Sequence, residues 1–170
     1  MSLILDGTNG LSDVDGTAAA PAIRGTDANT GIYFPGADRI GFAEGGVQVG
    51  EFDASSNFLF NSGYGSAAVA YGCRAWVNFN GTGTVAIRAS GNVSSITDNG
   101  TGDYTINFTT AITDVNYAPA IATQRNGINS AVWGSVKFDS TMAASNVRIA
   151  TVDVTPTPAD PIGVFVAIFR

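Results

Sequence analysis

Two pairs of carboxylates stand at spacings suited to acid–base chemistry: Asp98 with Asp103, and Asp13 with Asp15. Such a pair, flanking a glycosidic bond, hydrolyses it with one carboxyl as acid and the other as base or nucleophile. Both pairs lie among Gly, Asn and Thr, where Asp recurs because its side chain caps the turn it sits in. The turn reading is the stronger for each. Asp13-Val-Asp-Gly16 also opens like a calcium loop, but it lacks the third ligand position and the closing Glu, so it too reads as a solvated turn. The chain contains no His, which removes the usual general base and the commonest metal ligand. Its single cysteine, Cys73, can form neither an intrachain disulfide nor a structural zinc site. It is expected to be a small buried residue rather than a reactive thiol. Gly-Lys-Ser/Thr does not occur, and the glycine pairs Gly81-Thr-Gly83 and Gly100-Thr-Gly102 separate strands rather than precede helices. No catalytic, cofactor-binding or metal-ligating residue is assigned, and the expectation is a protein without enzymatic activity or cofactor. Binding chemistry is left to the aromatics Tyr64, Tyr71, Trp76, Tyr117, Trp133 and Phe138, which sit near Asn, Thr and Asp and are of the type that stacks on sugars. Trp76 is expected in the core. Trp133, between the turn at Asn126-Gly127 and Gly134, is balanced between core and surface, and none of the six is assigned as a site.

The elements that must position these residues are strands. The 170 residues include 17 Thr, 13 Ser, 13 Asn and 21 Gly, with only 13% charged residues and one Lys, Lys137. Glu occurs only at Glu44 and Glu51. Charged helix formers are nearly absent while strand and turn formers abound, so almost no helix is expected. The net charge of −6, with the seven Arg scattered, offers nothing to neutralise phosphates and argues against nucleic-acid binding. The opening Met-Ser-Leu-Ile-Leu-Asp-Gly has no charged n-region and no long apolar core, so no signal peptide is expected. The longest apolar run, Ile162–Phe169, is far short of the roughly 20 residues that span a bilayer as a helix. A soluble protein without membrane insertion is expected.

Residues 1–30 are mostly small, with short strand candidates at Leu3–Leu5 and Ala22–Arg24. Such a segment has little core of its own and must lie against something else. Residues 31–61 are an array of very short apolar runs between turns: Ile32–Phe34, Arg39–Phe42, Val47–Asp53 and Phe58–Phe60. Strands so short bury little within their own chain, and copies from other chains would supply what is missing. The array reads as an intertwined β-stalk. Residues 62–72, rich in Gly and Ala, read as a linker.

Residues 73–170 alternate with period two over longer runs. Strands are expected at Arg74–Asn80, Thr84–Ala89, Asn92–Thr97, Asp103–Thr109, Tyr117–Gln124, Val132–Phe138, Asn146–Val154 and Ile162–Phe169. In Asp103–Thr109, Tyr104, Ile106 and Phe108 face one way and Thr105, Asn107 and Thr109 the other. Hairpin turns are expected at Asn99-Gly100 and Asn126-Gly127. Pro119 places its strand at an edge or makes it start late. The last strand is apolar on both faces, so it is either the central strand of a sandwich or has one face against sister chains on a symmetry axis. Eight strands in about 98 residues suggest a C-terminal β-sandwich, of jelly-roll type. The fold class is all-β: a short stalk followed by a sandwich knob.

The segment Asn29-Thr-Gly-Ile-Tyr-Phe-Pro-Gly-Ala-Asp-Arg-Ile-Gly-Phe42, followed by Gly45-Gly-Val and Asp53-Ala-Ser-Ser-Asn57, resembles a unit that recurs in tail fibres of tailed bacteriophages. Cys73-Arg-Ala-Trp-Val-Asn-Phe-Asn-Gly-Thr-Gly-Thr-Val85, Ile96–Thr109 and Asn116-Tyr-Ala118 are similar to a terminal domain on virion proteins of phages, notably of marine bacteria. Together the matches span roughly residues 25–120. The resemblance implies a homotrimeric structural protein of a phage virion, made in the host cytoplasm. Residues 1–30 would dock to other virion proteins, residues 31–61 would form the stalk, and residues 73–170 the knob that attaches to a host-surface glycan or protein. Long fibres repeat the unit many times and this chain shows it once, which favours a short fibre. The alternative is a capsid decoration, head fibre, or tail or baseplate joint protein with no receptor.

Overall fold

The computed structural model describes residues 4–6, 10–12, 14–63, 65–125, 131–137, 139–140 and 142–170. No helix occurs among them, and every paired strand is antiparallel. The chain forms two compact units, residues 1–70 and 71–170.

In the first unit, β1 (Ile4–Asp6) pairs with β2 (Gly10–Ser12), and β3 (Gly16–Thr17) with β4 (Ala20–Pro21). Leu3, from the expected first strand, lies outside the described residues. Then β5 (Ile23–Arg24), β6 (Gly31–Tyr33), β7 (Ile40–Glu44), β8 (Val47–Phe52), β9 (Phe58–Phe60) and β10 (Ala68–Val69) run in chain order as one six-stranded sheet. Their turns are written in the sequence. Gly45 and Gly46, at φ +58° and +80°, make the two-residue turn between β7 and β8. Asp53 closes the next hairpin: its Oδ1 accepts from the amides of Ser55 and Asn57, each at 2.9 Å, and its Oδ2 from Asn57 Nδ2 at 3.1 Å. Asp27 likewise accepts from the Asn29 amide and the Thr30 hydroxyl.

The second unit has eight strands: β11 (Cys73–Asn80), β12 (Ala86–Gly91), β13 (Val93–Gly100), β14 (Asp103–Phe108), β15 (Ala118–Gln124), β16 (Val132–Val136), β17 (Asn146–Asp153) and β18 (Gly163–Phe169). They form two sheets, ordered β12-β11-β18-β15 and β13-β14-β17-β16. Inward residues of both sheets share one buried cluster, including Val77 and Phe79 of β11, Tyr104 and Ile106 of β14, Ile149 of β17 and Val166 of β18. The chain bends from the first sheet to the second at Asn92, φ +55°. Its amide nitrogen donates to the Arg74 and Thr110 carbonyls, both at 3.0 Å, and its side-chain oxygen accepts from the Thr110 amide at 2.8 Å.

Several expectations need correction. Of the seven successive connections in the second unit, β11–β12, β13–β14 and β16–β17 are hairpins inside one sheet and the other four cross between the sheets. The turn expected at Asn99-Gly100 falls at Thr101-Gly102, two residues later, after a register shift between Asp98 and Gly100. Ala89 is exposed although it stands two residues after the half-buried Ile87, because a bulge opposite Asn78 and Phe79 slips the alternation. Cys73 is exposed rather than buried, its thiol donating to the Ala75 carbonyl, because the register shifts between Cys73 and Ala75. Pro119 sits in β15, an edge strand. The turn expected at Asn126-Gly127 lies outside the described residues.

Candidate interaction surfaces

Strand register sorts the six-stranded sheet into two unlike faces. Ile32, Phe42, Gly50 and Phe60 lie in one row across β6–β9, and Ile40, Phe52 and Phe58 in the next. The Phe42 and Phe52 rings meet edge to face with centroids 6.2 Å apart, and Phe52 and Phe58 lie 5.3 Å apart. This face has no charged group within those rows, and none of the described residues of the first unit covers it: Phe52 is 46% exposed and Phe60 52%. Water-exposed aromatic area on this scale is unfavourable unless something covers it.

The opposite face holds a polar relay. Tyr33, Gly41, Glu51 and Leu59 are in register. The Tyr33 hydroxyl donates to Gln48 Oε1 at 2.7 Å, Gln48 Nε2 donates to Glu51 Oε2 at 2.7 Å, and Arg39 Nε donates to Glu51 Oε1. Glu51 is 1% exposed. The Arg39 hydrogen bond, with help from Gln48, holds its carboxyl below the usual carboxylate range despite burial. Burial and the Glu51 charge push the Tyr33 hydroxyl up. A carboxylate with both oxygens engaged and its charge stabilised is a register clamp, not a proton donor. The sequence reading passed over Glu51; the signal was a lone Glu inside an apolar strand, twelve residues after Arg39.

The second unit also presents two unlike outer faces. On the sheet β13-β14-β17-β16 the outward groups are hydroxyls, amides and charges. Asn107 Nδ2 donates to Ser95 Oγ at 3.1 Å and Thr97 Oγ1 at 3.0 Å, and Asn99 Nδ2 donates to Thr105 Oγ1 at 2.9 Å. Arg148 binds Asp103 through two bonds of 2.7 and 2.8 Å, and Lys137 Nζ lies 3.2 Å from the same carboxylate. Trp133, on the edge strand β16, is 65% exposed. The other sheet, β12-β11-β18-β15, carries on its outer face, across β11, β18 and β15, an open and mainly apolar concavity of about 510 Å³ between Trp76 and Phe165, floored by Ala120, Ala122 and Ala167. Trp76 was expected in the core but is 45% exposed. Ala75, Val77 and Phe79 take the inward positions of β11, so period two turns Trp76 and Asn78 outward.

Asp98 and Asp103 each have partners of their own. Asp98 Oδ1 accepts from the Gly100 amide at 3.0 Å, a turn cap. Asp103 is neutralised by two cations, first by the Arg148 hydrogen bond, which holds its carboxyl low. Asp15 is exposed and its carbonyl accepts from the Phe34 amide; Asp13 lies outside the described residues, as do Tyr64 and Phe138. Tyr117 is buried, its hydroxyl donating to the Ala143 and Asn146 carbonyls, while Tyr71 is exposed. Among the described residues no three His, Cys, Asp or Glu side chains gather where a metal ion could be held, and no helix is long and apolar enough to cross a membrane.

No protein-family model matches the chain, and no curated protein does. Among solved structures the chain is similar to the phiAB6 tailspike, crystallised in complex with three-repeated oligosaccharides of Acinetobacter baumannii surface polysaccharide. The identity is 15% and the TM-score 0.47, over 95% of this chain and 32% of the tailspike chain. The chain thus spans about a third of the length of that protein.

Proposed function

We propose that this chain is a non-enzymatic structural protein of a phage virion: a short homotrimeric fibre whose residues 1–30 dock to other virion proteins, whose residues 31–61 form a stalk shared between chains, and whose residues 73–170 form a knob that meets the host surface. The observation that carries the reading is the uncovered aromatic face of β6–β9. A single six-stranded layer with Phe52, Phe58 and Phe60 open to water has no partner among the described residues of its unit, and sister chains supply one. The likeness of residues 29–57 to a tail-fibre unit supports the virion setting. The polar outer face of β13-β14-β17-β16, with rows of Ser, Thr and Asn and with Trp133 exposed on its edge strand, suits a host glycan, since sugars bind by stacking on an aromatic plane while their hydroxyls exchange hydrogen bonds.

Two experiments test this. Antibody against the purified protein is expected to decorate the tails of phage particles that carry it, and the purified protein is expected to slow adsorption of those particles to their host, with Trp133→Ala weakening the competition. Decoration of the capsid with no competition would instead favour a decoration or joint protein.

A further inference from the structure

Strand β18 is apolar on both faces, and only one of them lies in the core. Val164, Val166 and Ile168 are buried between the sheets, whereas Phe165 and Phe169 point outward and remain exposed. Register sets these outward residues beside others of the same kind: Trp76, Ala167 and Ala120 share one row, and Asn78, Phe165 and Ala122 the next. The result is a concavity with a floor of alanines and walls of Trp76 and Phe165.

We propose that this face is a contact between copies of the chain, so that the second units pack on one another through the outer side of β11, β18 and β15. The inference rests on the fibre reading and deepens it by naming the surface that joins the knobs. Charge selects the occupant. Copies of a chain of net charge −6 repel one another overall, so they approach most readily through a patch that carries no charge of its own. The lining of this concavity contains no charged residue. Arg88 turns its guanidinium to Asn78 Oδ1 and to the Ile162 carbonyl. The charges Asp103, Arg148 and Lys137 belong to the other sheet. A glycan here would find one side-chain amide, Asn78, among aromatic rings and alanine methyls, and an ionic partner would find no counter-charge in the lining, with Arg88 at its rim.

Size sets the condition. Three strands at about 4.8 Å spacing, paired over five residues at about 3.4 Å rise, project roughly 250 Å² of face. A stable interface needs about 800 Å² per partner, so this contact is too small to act alone. It forms when the first units have already assembled, because tethering raises the effective concentration of the second units to about the millimolar range.

The test uses the full chain with Cys73→Ser, adding Ala120→Cys, Ala122→Cys or, on the opposite polar face, Thr97→Cys, each treated with a short bis-maleimide after its mass is measured by light scattering. The expected result is an assembled protein that crosslinks into covalent multimers from Ala120→Cys and Ala122→Cys but stays single-chain from Thr97→Cys. An assembled protein that stays single-chain from both alanine positions, or crosslinks equally from Thr97→Cys, overturns this contact and leaves the fibre reading standing. A protein that scatters as a single chain overturns both.

Discussion

Phe52→Ala measures what the uncovered aromatic face is worth. A buried aromatic covers about 150–250 Å², and 46% of Phe52 is exposed in the single chain. Assembly would therefore bury a further ~70–110 Å² of each Phe52, worth about 2–3 kcal/mol per copy at about 25 cal/mol per Å². In an assembly of three the loss is about 6–8 kcal/mol, which lowers the overall association constant by roughly four to six powers of ten. Folding of each chain should lose about 1–2 kcal/mol, because the covered part of the ring packs on Phe42 and Phe58. The assay is sedimentation equilibrium over a dilution series, with far-UV circular dichroism confirming an intact sheet and Thr97→Ala as a surface control. Phe52→Ala should dissociate at concentrations where the parent and Thr97→Ala remain associated. A variant that dissociates in step with its parent would refute the reasoning, because the exposed ring would then face nothing.

Glu51→Gln and Gly102→Ala test the two units separately. The Glu51 carboxyl is held below its ordinary 4.5 chiefly by the hydrogen bond from Arg39. A carboxyl depressed on folding stabilises the fold above its unfolded pKa and loses that contribution as the pH falls through the lower folded value. The melting midpoint of the parent should therefore exceed that of Glu51→Gln at neutral pH, and the two curves should converge below about pH 4.5; parallel curves down through the acid range would remove the clamp role. Gly102 sits at φ +66°, and a Cβ there would lie 2.3 Å from the Thr151 carbonyl oxygen and 2.8 Å from the Ala159 nitrogen. Both atoms are backbone, so Gly102→Ala should cost about 2–4 kcal/mol, against about 1 kcal/mol for Gly83→Ala, where φ is +62° in open space. Urea midpoints at unchanged slope measure the difference, and equal costs would contradict the close approach.

Much of this architecture is legible in local pattern. Period two places Tyr104, Ile106 and Phe108 inward and Thr105 and Asn107 outward, and β14 does this. The same period, applied to Ala75, Val77 and Phe79, would have turned Trp76 outward; the preference of tryptophan for cores masked a signal that was present. Asp53-Ala-Ser-Ser-Asn57 is a turn because each of its polar groups closes on Asp53, a chemistry visible within five residues. Long-range pairings were not legible. Asp160 accepts from the buried Tyr104 hydroxyl 56 positions away, at 2.7 Å, and nothing near either residue announces the other. Bulges also defeat pattern reading: one inserted step exposes Cys73 and Ala89 against their neighbours' alternation. Sheet order is set by which hairpins close, and turn residues mark where a strand ends without fixing which sheet the next strand joins. The unlike faces of the two units emerge only when the rows are assembled, because each strand contributes one or two residues to them.

The mass of the intact protein in dilute buffer tests the central claim most directly. Light scattering should return three times the 17.4 kDa of one chain, with the phenylalanine face of β6–β9 shielded from hydrophobic dyes. A value of 17.4 kDa for a protein that still melts cooperatively would show that a lone chain tolerates its open aromatic face, and would contradict the account.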